Sequence, residues 1–110
     1  MYDYKAIVKK IYDADTVTLD IDLGFYTWIH NQSVRLLGIN APEVTGIQKP
    51  DGIISRDTLR SWIPLGAEVI IQTSKDSSDK YGRWLAVIFY NGENINEKLV
   101  AGGFAERYMV

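Results

Sequence analysis

Four short segments carry charged or polar side chains where the hydrophobic pattern does not require them: Asp13-Ala14-Asp15, Arg35, Asn40 with Glu43, and Asp79–Trp84. Carboxylate and amide oxygens are ligands for a hard cation such as calcium. A guanidinium presents a planar fork of donors that suits a phosphate group. A carboxylate can also act as a general base on water. These residue types therefore indicate phosphate and metal chemistry.

Each segment also has a purely structural interpretation. Asp13 and Asp15 can cap a tight turn with their own side chains. Arg35 can form a structural ion pair or lie on the solvent face, and Glu43 can be the solvated residue of a capped turn. The cations and ring within residues 79–84 can hold a phosphate and stack a base, or can be the charged end of a hairpin. Taken one at a time, the segments leave both interpretations open.

Length and composition predict one soluble domain spanning residues 1–110. The absence of cysteine excludes disulfides and thiolate metal sites. The N-terminal residues lack the apolar core of a signal peptide, and no stretch reaches the roughly 20 apolar residues of a membrane span. These features favour a cytoplasmic location with no membrane partner. The net charge of -2 argues against binding nucleic acid by charge alone, but is compatible with carboxylates that hold a divalent cation.

The hydrophobic periodicity predicts five strands and two helices. Residues 16–24 alternate strictly, as in a half-buried antiparallel strand. Strands are expected at 4–12, 16–24, 33–39, 67–73 and 84–90, with residues 25–28 opening the third strand and a turn at 30–32. Helices are expected at 53–63 and 95–101, followed by an apolar tail over 104–110 that packs on the body. This order predicts a mostly β protein: an OB-fold, the five-stranded Greek-key barrel, with two helices.

The polar segments, taken together, resemble the staphylococcal nuclease (thermonuclease) family. The resemblance rests on Asp13-Ala-Asp-Thr-Val, Val34-Arg-Leu-Leu-Gly-Ile-Asn-Ala-Pro-Glu, Asp79-Lys-Tyr-Gly-Arg and Asn96-Glu-x-Leu-Val-x-x-Gly-Phe-Ala. Their order and approximate spacing match over nearly the whole chain. The family fold is an OB barrel with helices, in agreement with the periodicity.

This resemblance implies a calcium-dependent nuclease that hydrolyses phosphodiester bonds of DNA or RNA. The implied calcium ligands are Asp15, Asn40 and the backbone carbonyl of Ala41. The implied catalytic residues are Glu43 as general base, with Arg35 and Arg83 stabilising the transition state. The implied substrate-binding residues are Lys80 and Tyr81.

Two departures from the family pattern support an alternative. Asn40 stands where the family has an aspartate, and the loss of one ligand charge is expected to weaken calcium binding and reduce activity. The acidic composition also differs from the family's best-known, basic member. The alternative is a catalytically weak module of the same fold that binds nucleic acid or protein.

Overall fold

The computed structural model describes residues 2–78 and 83–108. Three strands come first in the chain: β1 (Tyr2–Asp13), β2 (Thr16–Asp22) and β3 (Trp28–Leu36). They pair antiparallel in chain order. The alternation in β2 predicted its orientation correctly, because Val17, Leu19 and Ile21 are buried in the core. The residues between them form the outer face of the sheet.

The connection between β2 and β3 differs from the prediction. The turn lies at 24–27, where the Thr27 N–H donates to the Gly24 carbonyl at 2.9 Å. Residues 30–32, expected as a turn, are inside β3. A bulge in the β2–β3 ladder and a positive φ of 55° at Asn31 accommodate them. Pairing along the whole of β2 outweighs the local turn preference of His-Asn-Gln.

The barrel is closed by β5 (Glu68–Ser78) and β6 (Trp84–Tyr90). The sheet order is β3-β2-β1-β5-β6, and β6 also pairs with β3 in parallel, with Arg35 opposite Leu85. The predicted five-stranded OB-fold is therefore confirmed. Strand β6 has the predicted bounds, whereas β5 extends beyond the predicted 67–73. A short strand, β7 (Glu93–Asn94), follows on the outer edge of β6.

Two α-helices pack on this barrel. Helix α1 (Lys49–Trp62) follows a 3₁₀ turn at Gly46–Gln48 and begins four residues before the predicted start. Pro50 lies in its first turn, where the missing N–H has no intrahelical partner to lose. Helix α2 (Ile95–Ala101) has the predicted bounds, and the Asn94 side chain caps it. Within the described residues, neither helix is long and apolar enough to cross a membrane.

A small second sheet holds the segment that follows β3. The predicted third strand breaks at Gly38, whose φ is 78°. The chain then forms β4 (Ile39–Asn40), which pairs with β8 (Glu106–Arg107) and sets Asn40 opposite Glu106. The predicted packing of the tail is confirmed at its start, because Phe104 packs against the core and edge-on against Trp62 and Ala105 is buried. Residues 106–108 are exposed.

A buried amide ties these elements together. Asn96 on α2 accepts the N–H of Ile88 at 3.1 Å and donates to the carbonyls of Leu37 and Ala86 at 2.9 and 3.1 Å. Because Leu37 directly precedes the turn into β4, this amide also fixes the approach to Asn40. The surrounding core is formed by large aliphatic side chains from strands and helices: Ile11, Leu19, Leu36, Ile39, Leu59, Ile63, Ile71, Ile88, Ile95 and Leu99.

Candidate functional site

Asp15 lies in the tight turn between β1 and β2 and is buried. Its Oδ2 accepts the N–H of Ala41 at 2.8 Å, and its Oδ1 accepts the hydroxyl of Thr16 at 3.2 Å. Asp13 Oδ1 accepts the N–H of Asp15 at 3.2 Å, as a turn-capping aspartate does. Asp15 therefore connects the first turn of the barrel to the segment after β4.

Arg35 is the cation of this network. It lies on the outer face of β3, opposite Thr16 in the ladder. One guanidinium nitrogen is 3.0 Å from Asp15 Oδ2, and the other donates to Asn40 Oδ1 at 3.0 Å. The Arg35 side chain is only 15% exposed and that of Asp15 8%. The structure therefore contains the structural ion pair that the sequence left open, and the pair holds the guanidinium in one orientation.

Glu43 combines a fixed backbone with an exposed side chain. Its N–H donates to Gln48 Oε1 at 3.1 Å. Its carbonyl lies against Gly52 of α1 so closely that a Cβ at position 52 would overlap it. Pro42 restricts the preceding residue to an extended conformation. Helix α1 thus positions this backbone while the carboxylate faces water.

One cleft of about 450 Å³ brings Glu43 and Arg83 together. Tyr12, Asp13, Val44 and Thr45 complete its lining. Arg83 donates to the hydroxyl of Thr16 at 3.1 Å, and Thr16 in turn donates to Asp15. The cleft therefore pairs a water-exposed carboxylate with a guanidinium, and Thr16 and Asp15 link that guanidinium to Arg35.

Asp13 has an unusual protonation equilibrium. Burial, followed by the neighbouring carboxylate of Asp15, raises the pKa of Asp13 from 3.8 to about 7. The hydrogen bond from the Asp15 N–H lowers the pKa in part. Because the unfolded chain has the ordinary pKa, the carboxyl of Asp13 makes the fold less stable as the pH rises from about 4 to about 7. A positive charge beside Asp13 and Asp15 would lower the pKa of Asp13 and reduce this loss of stability.

The oxygens of this corner are of the types that bind a hard divalent cation. Calcium takes several carboxylate, amide and carbonyl oxygens. Oxygens of Asp15 and Asn40 both lie 3.0 Å from the guanidinium of Arg35, so they converge on one positive group. Within residues 2–78 and 83–108, no three acidic or histidine side chains form a ready-made metal site. A calcium site would therefore depend on neutral oxygens, such as the Asn40 amide.

The predicted site residues fall into two neighbouring groups. Asp15, Arg35, Asn40 and Ala41 form one hydrogen-bonded network. Glu43 and Arg83 share the cleft beside it, whereas Asn40 and Ala41 line a separate cavity of about 500 Å³ next to α1. The predicted substrate-binding residues Lys80 and Tyr81 lie outside the described residues.

Two residues beside the site, Tyr12 and Gly52, were not singled out from the sequence. Tyr12 lines the cleft together with Asp13, and its position directly before the Asp13-Ala14-Asp15 segment was an available signal. Gly52 supports the backbone of Glu43, and no local pattern indicates this. A glycine inside a helix usually weakens it, so the reason for Gly52 is found only in the tertiary contact.

The chain is similar to a known protein family and to several of its relatives. A family model described as staphylococcal nuclease homologue matches residues 33–110. The thermonuclease of Staphylococcus intermedius is 31% identical over 103 residues, which cover 90% of this chain and 56% of that protein. An uncharacterized endonuclease of Haemophilus influenzae is 34% identical over 103 residues, covering 92% and 51%. Endonuclease YhcR of Bacillus subtilis is 27% identical over 117 residues, covering 98% and 9%. The chain thus spans between about a tenth and about half of the length of these relatives.

Proposed function

Because the chain belongs to the staphylococcal nuclease homologue family, we propose that it is a calcium-dependent nuclease that hydrolyses phosphodiester bonds of DNA, RNA or both. Relatives named thermonuclease and endonuclease support this reaction class. The observation that carries the proposal is the cleft shared by Glu43 and Arg83, together with its link through Thr16 to Asp15.

The two arginines supply fixed positive charge for a phosphate. A five-coordinate phosphorus carries more negative charge than the starting diester, and preorganised donors stabilise it without reorganising. Arg35 is held by Asp15 and Asn40, and Arg83 by Thr16. Both guanidinium groups therefore have a defined orientation before substrate arrives.

Glu43 is the proposed general base. Its carboxylate is exposed, it lines the cleft with Arg83, and its backbone is fixed by Gln48 and α1. It would take a proton from the water that attacks phosphorus. Asp15, the Asn40 amide oxygen and the Ala41 carbonyl would hold calcium. Bound calcium would supply Lewis-acid polarisation of a phosphoryl oxygen.

A second function is favoured by one specific contact. The amide oxygen of the neutral Asn40 accepts a hydrogen bond from Arg35. This contact engages both the proposed metal ligand and the proposed phosphate donor. With a net charge of -2, the chain also has little general attraction for a polyanion. These features support a binding module of the same fold with weak or no catalysis.

The deciding experiment measures cleavage of a labelled single-stranded DNA with calcium or with chelator. We expect calcium-dependent cleavage, and Glu43→Gln should lower the rate by about a hundredfold or more because the general base is lost. Glu93→Gln is the matched control, since Glu93 is an exposed carboxylate on β7. Binding without cleavage at high calcium would contradict the nuclease and support the module. Normal cleavage by Glu43→Gln would remove Glu43 from the mechanism.

Asn40→Asp tests the proposed metal site separately. The added ligand charge is expected to tighten calcium binding roughly tenfold, measured by calorimetry. Asn91→Asp adds the same charge at an exposed turn and should leave the affinity unchanged. Equal calcium affinities in the two variants would show that Asn40 is not a ligand.

A further inference from the structure

Cations and aromatic rings share the outer face of β1, β2 and β3. We call these residues the outer strand face: Lys5, Lys9, Lys10, Tyr12, Trp28 and His30. Lys5 and Lys10 lie opposite Asp22 and Thr18 in the ladder, on the side away from the core. Trp28 lies opposite Asp22 from the other strand. None of these six has a role in the proposed chemistry.

This face is continuous with the cleft. Tyr12 lines the cleft, and the Lys10 ammonium lies over its ring at 5.9 Å from the centroid. Strand β2, with seven residues, runs from Thr16 beside the cleft to Asp22 beside Trp28. At ~3.3 Å per residue this is about 20 Å, the length of roughly six stacked nucleotides.

Two rings at the far end of the face are nearly parallel. The planes of Trp28 and His30 differ by 7°, and their centroids are 6.4 Å apart. Both side chains are substantially exposed. Flat rings that face solvent in parallel suit stacking against a nucleic acid base, which contributes to binding without sequence preference.

The β2–β3 turn presents two further rings at its tip. Phe25 and Tyr26 are fully exposed. Their φ angles of 54° and 60° are those of a turn type that prefers Asn-Gly, because bulky residues rarely adopt positive φ. The chain therefore places two large rings in solvent at positions where they weaken the turn.

Two aspartates of this face are engaged by neighbouring groups. The Asp20 carboxylate lies 3.8 Å from Lys9 and 3.2 Å from His30, and it accepts the N–H of Asn31 at 2.8 Å. Asp22 accepts the N–H of Gly24 at 2.8 Å. The face carries three lysines and three aspartates: Lys5, Lys9, Lys10, Asp3, Asp20 and Asp22. Its formal charge is therefore about zero, compared with -2 for the whole chain.

We propose that the outer strand face and the β2–β3 tip form a track for single-stranded nucleic acid leading to the cleft. Bases stack on Trp28 and His30 and on the rings at the tip, and the lysines contact phosphates. Strands 2 and 3 of such barrels form an oligonucleotide-binding face in other proteins. The inference rests on the proposed function, because the track delivers substrate to that cleft.

The test measures the affinity for a labelled 12-nucleotide single strand in the presence of chelator. A dinucleotide, which is too short to reach the tip, serves as the comparison substrate. The double variant Phe25→Asn/Tyr26→Gly restores the preferred turn residues, so its melting temperature should be unchanged or higher. We expect it to bind the 12-mer at least about fivefold more weakly. Trp28→Ala should do the same, and Trp28→Phe should restore most of the affinity. Cleavage of the dinucleotide with calcium should be unchanged.

Leu65→Ala, at an exposed apolar residue after α1, is the matched control for lost apolar surface. The slope of log affinity against log salt concentration should fall by about 0.7 in Lys10→Ala, because one phosphate contact is lost. Lys98→Ala on α2 should leave this slope unchanged.

Variants that bind the 12-mer as tightly as wild type would overturn the track while leaving the nuclease intact. A wild-type chain that shows these dependences but never cleaves would keep the track and remove the nuclease. Self-association that the tip variant abolishes, with unchanged 12-mer binding, would assign the face to a second copy and overturn the proposal.

Discussion

Arg35→Ala is expected to lower the free energy of unfolding by roughly 3 kcal/mol and nuclease activity by about a hundredfold or more. Removing one partner of a buried ion pair leaves an uncompensated charge and costs about 3–5 kcal/mol. The lower value applies because Asp15 keeps its hydrogen bonds from Ala41 and Thr16. The loss of activity follows from removing an oriented phosphate donor. Urea unfolding in chelator and initial rates at saturating calcium measure the two effects.

Arg107→Ala is the matched control for this prediction. Arg107 pairs with Glu97 at the surface, where the two side chains are 66% and 52% exposed. Exposed pairs of this kind contribute about 0–1 kcal/mol. If Arg35→Ala were no more destabilising than Arg107→Ala, the Asp15–Arg35 pair would not be a structural element of the site.

Arg35→Lys separates the two roles of Arg35. A lysine keeps the positive charge beside Asp15 but loses the planar fork that can contact Asp15 and Asn40 together. We expect most of the stability to be retained and most of the activity to be lost. Retained activity in this variant would show that charge alone, without the fork, is sufficient.

Gly52→Ala is expected to destabilise the protein by about 2 kcal/mol or more and to reduce activity. Helix propensity alone predicts the opposite, a gain of up to about 1 kcal/mol from replacing glycine in a helix. The added Cβ would overlap the carbonyl of Glu43 and approach the backbone N of Val44. Since both neighbours are backbone, either α1 or the segment carrying Glu43 must move.

Ser61→Ala, an exposed substitution in the same helix, should change the free energy of unfolding by less than about 0.5 kcal/mol. Activity and thermal unfolding of both variants decide the outcome. A more stable Gly52→Ala protein with normal activity would show that α1 does not position Glu43.

Local pattern was sufficient for much of the fold. The strict alternation of β2 predicted which residues enter the core, and the bounds of β6 and α2 follow from their apolar runs and flanking turn residues. The position of the β2–β3 turn was not predictable in this way. His-Asn-Gln has turn chemistry and Phe25-Tyr26 has strand chemistry, yet pairing with β2 reversed both assignments.

The sequence by itself determined the barrel class, the family and the chemically active residue types. Each of these depends on periodicity or on short motifs, and both are local properties of the chain. Only the tertiary structure decided that Arg35 is shared between Asp15 and Asn40, that Glu43 and Arg83 face one cleft, and that Gly52 supports Glu43. These contacts join residues distant in sequence, and they form only when the barrel closes and α1 packs beside it. The same closure places Trp28 and His30 on the outer face that leads to the cleft.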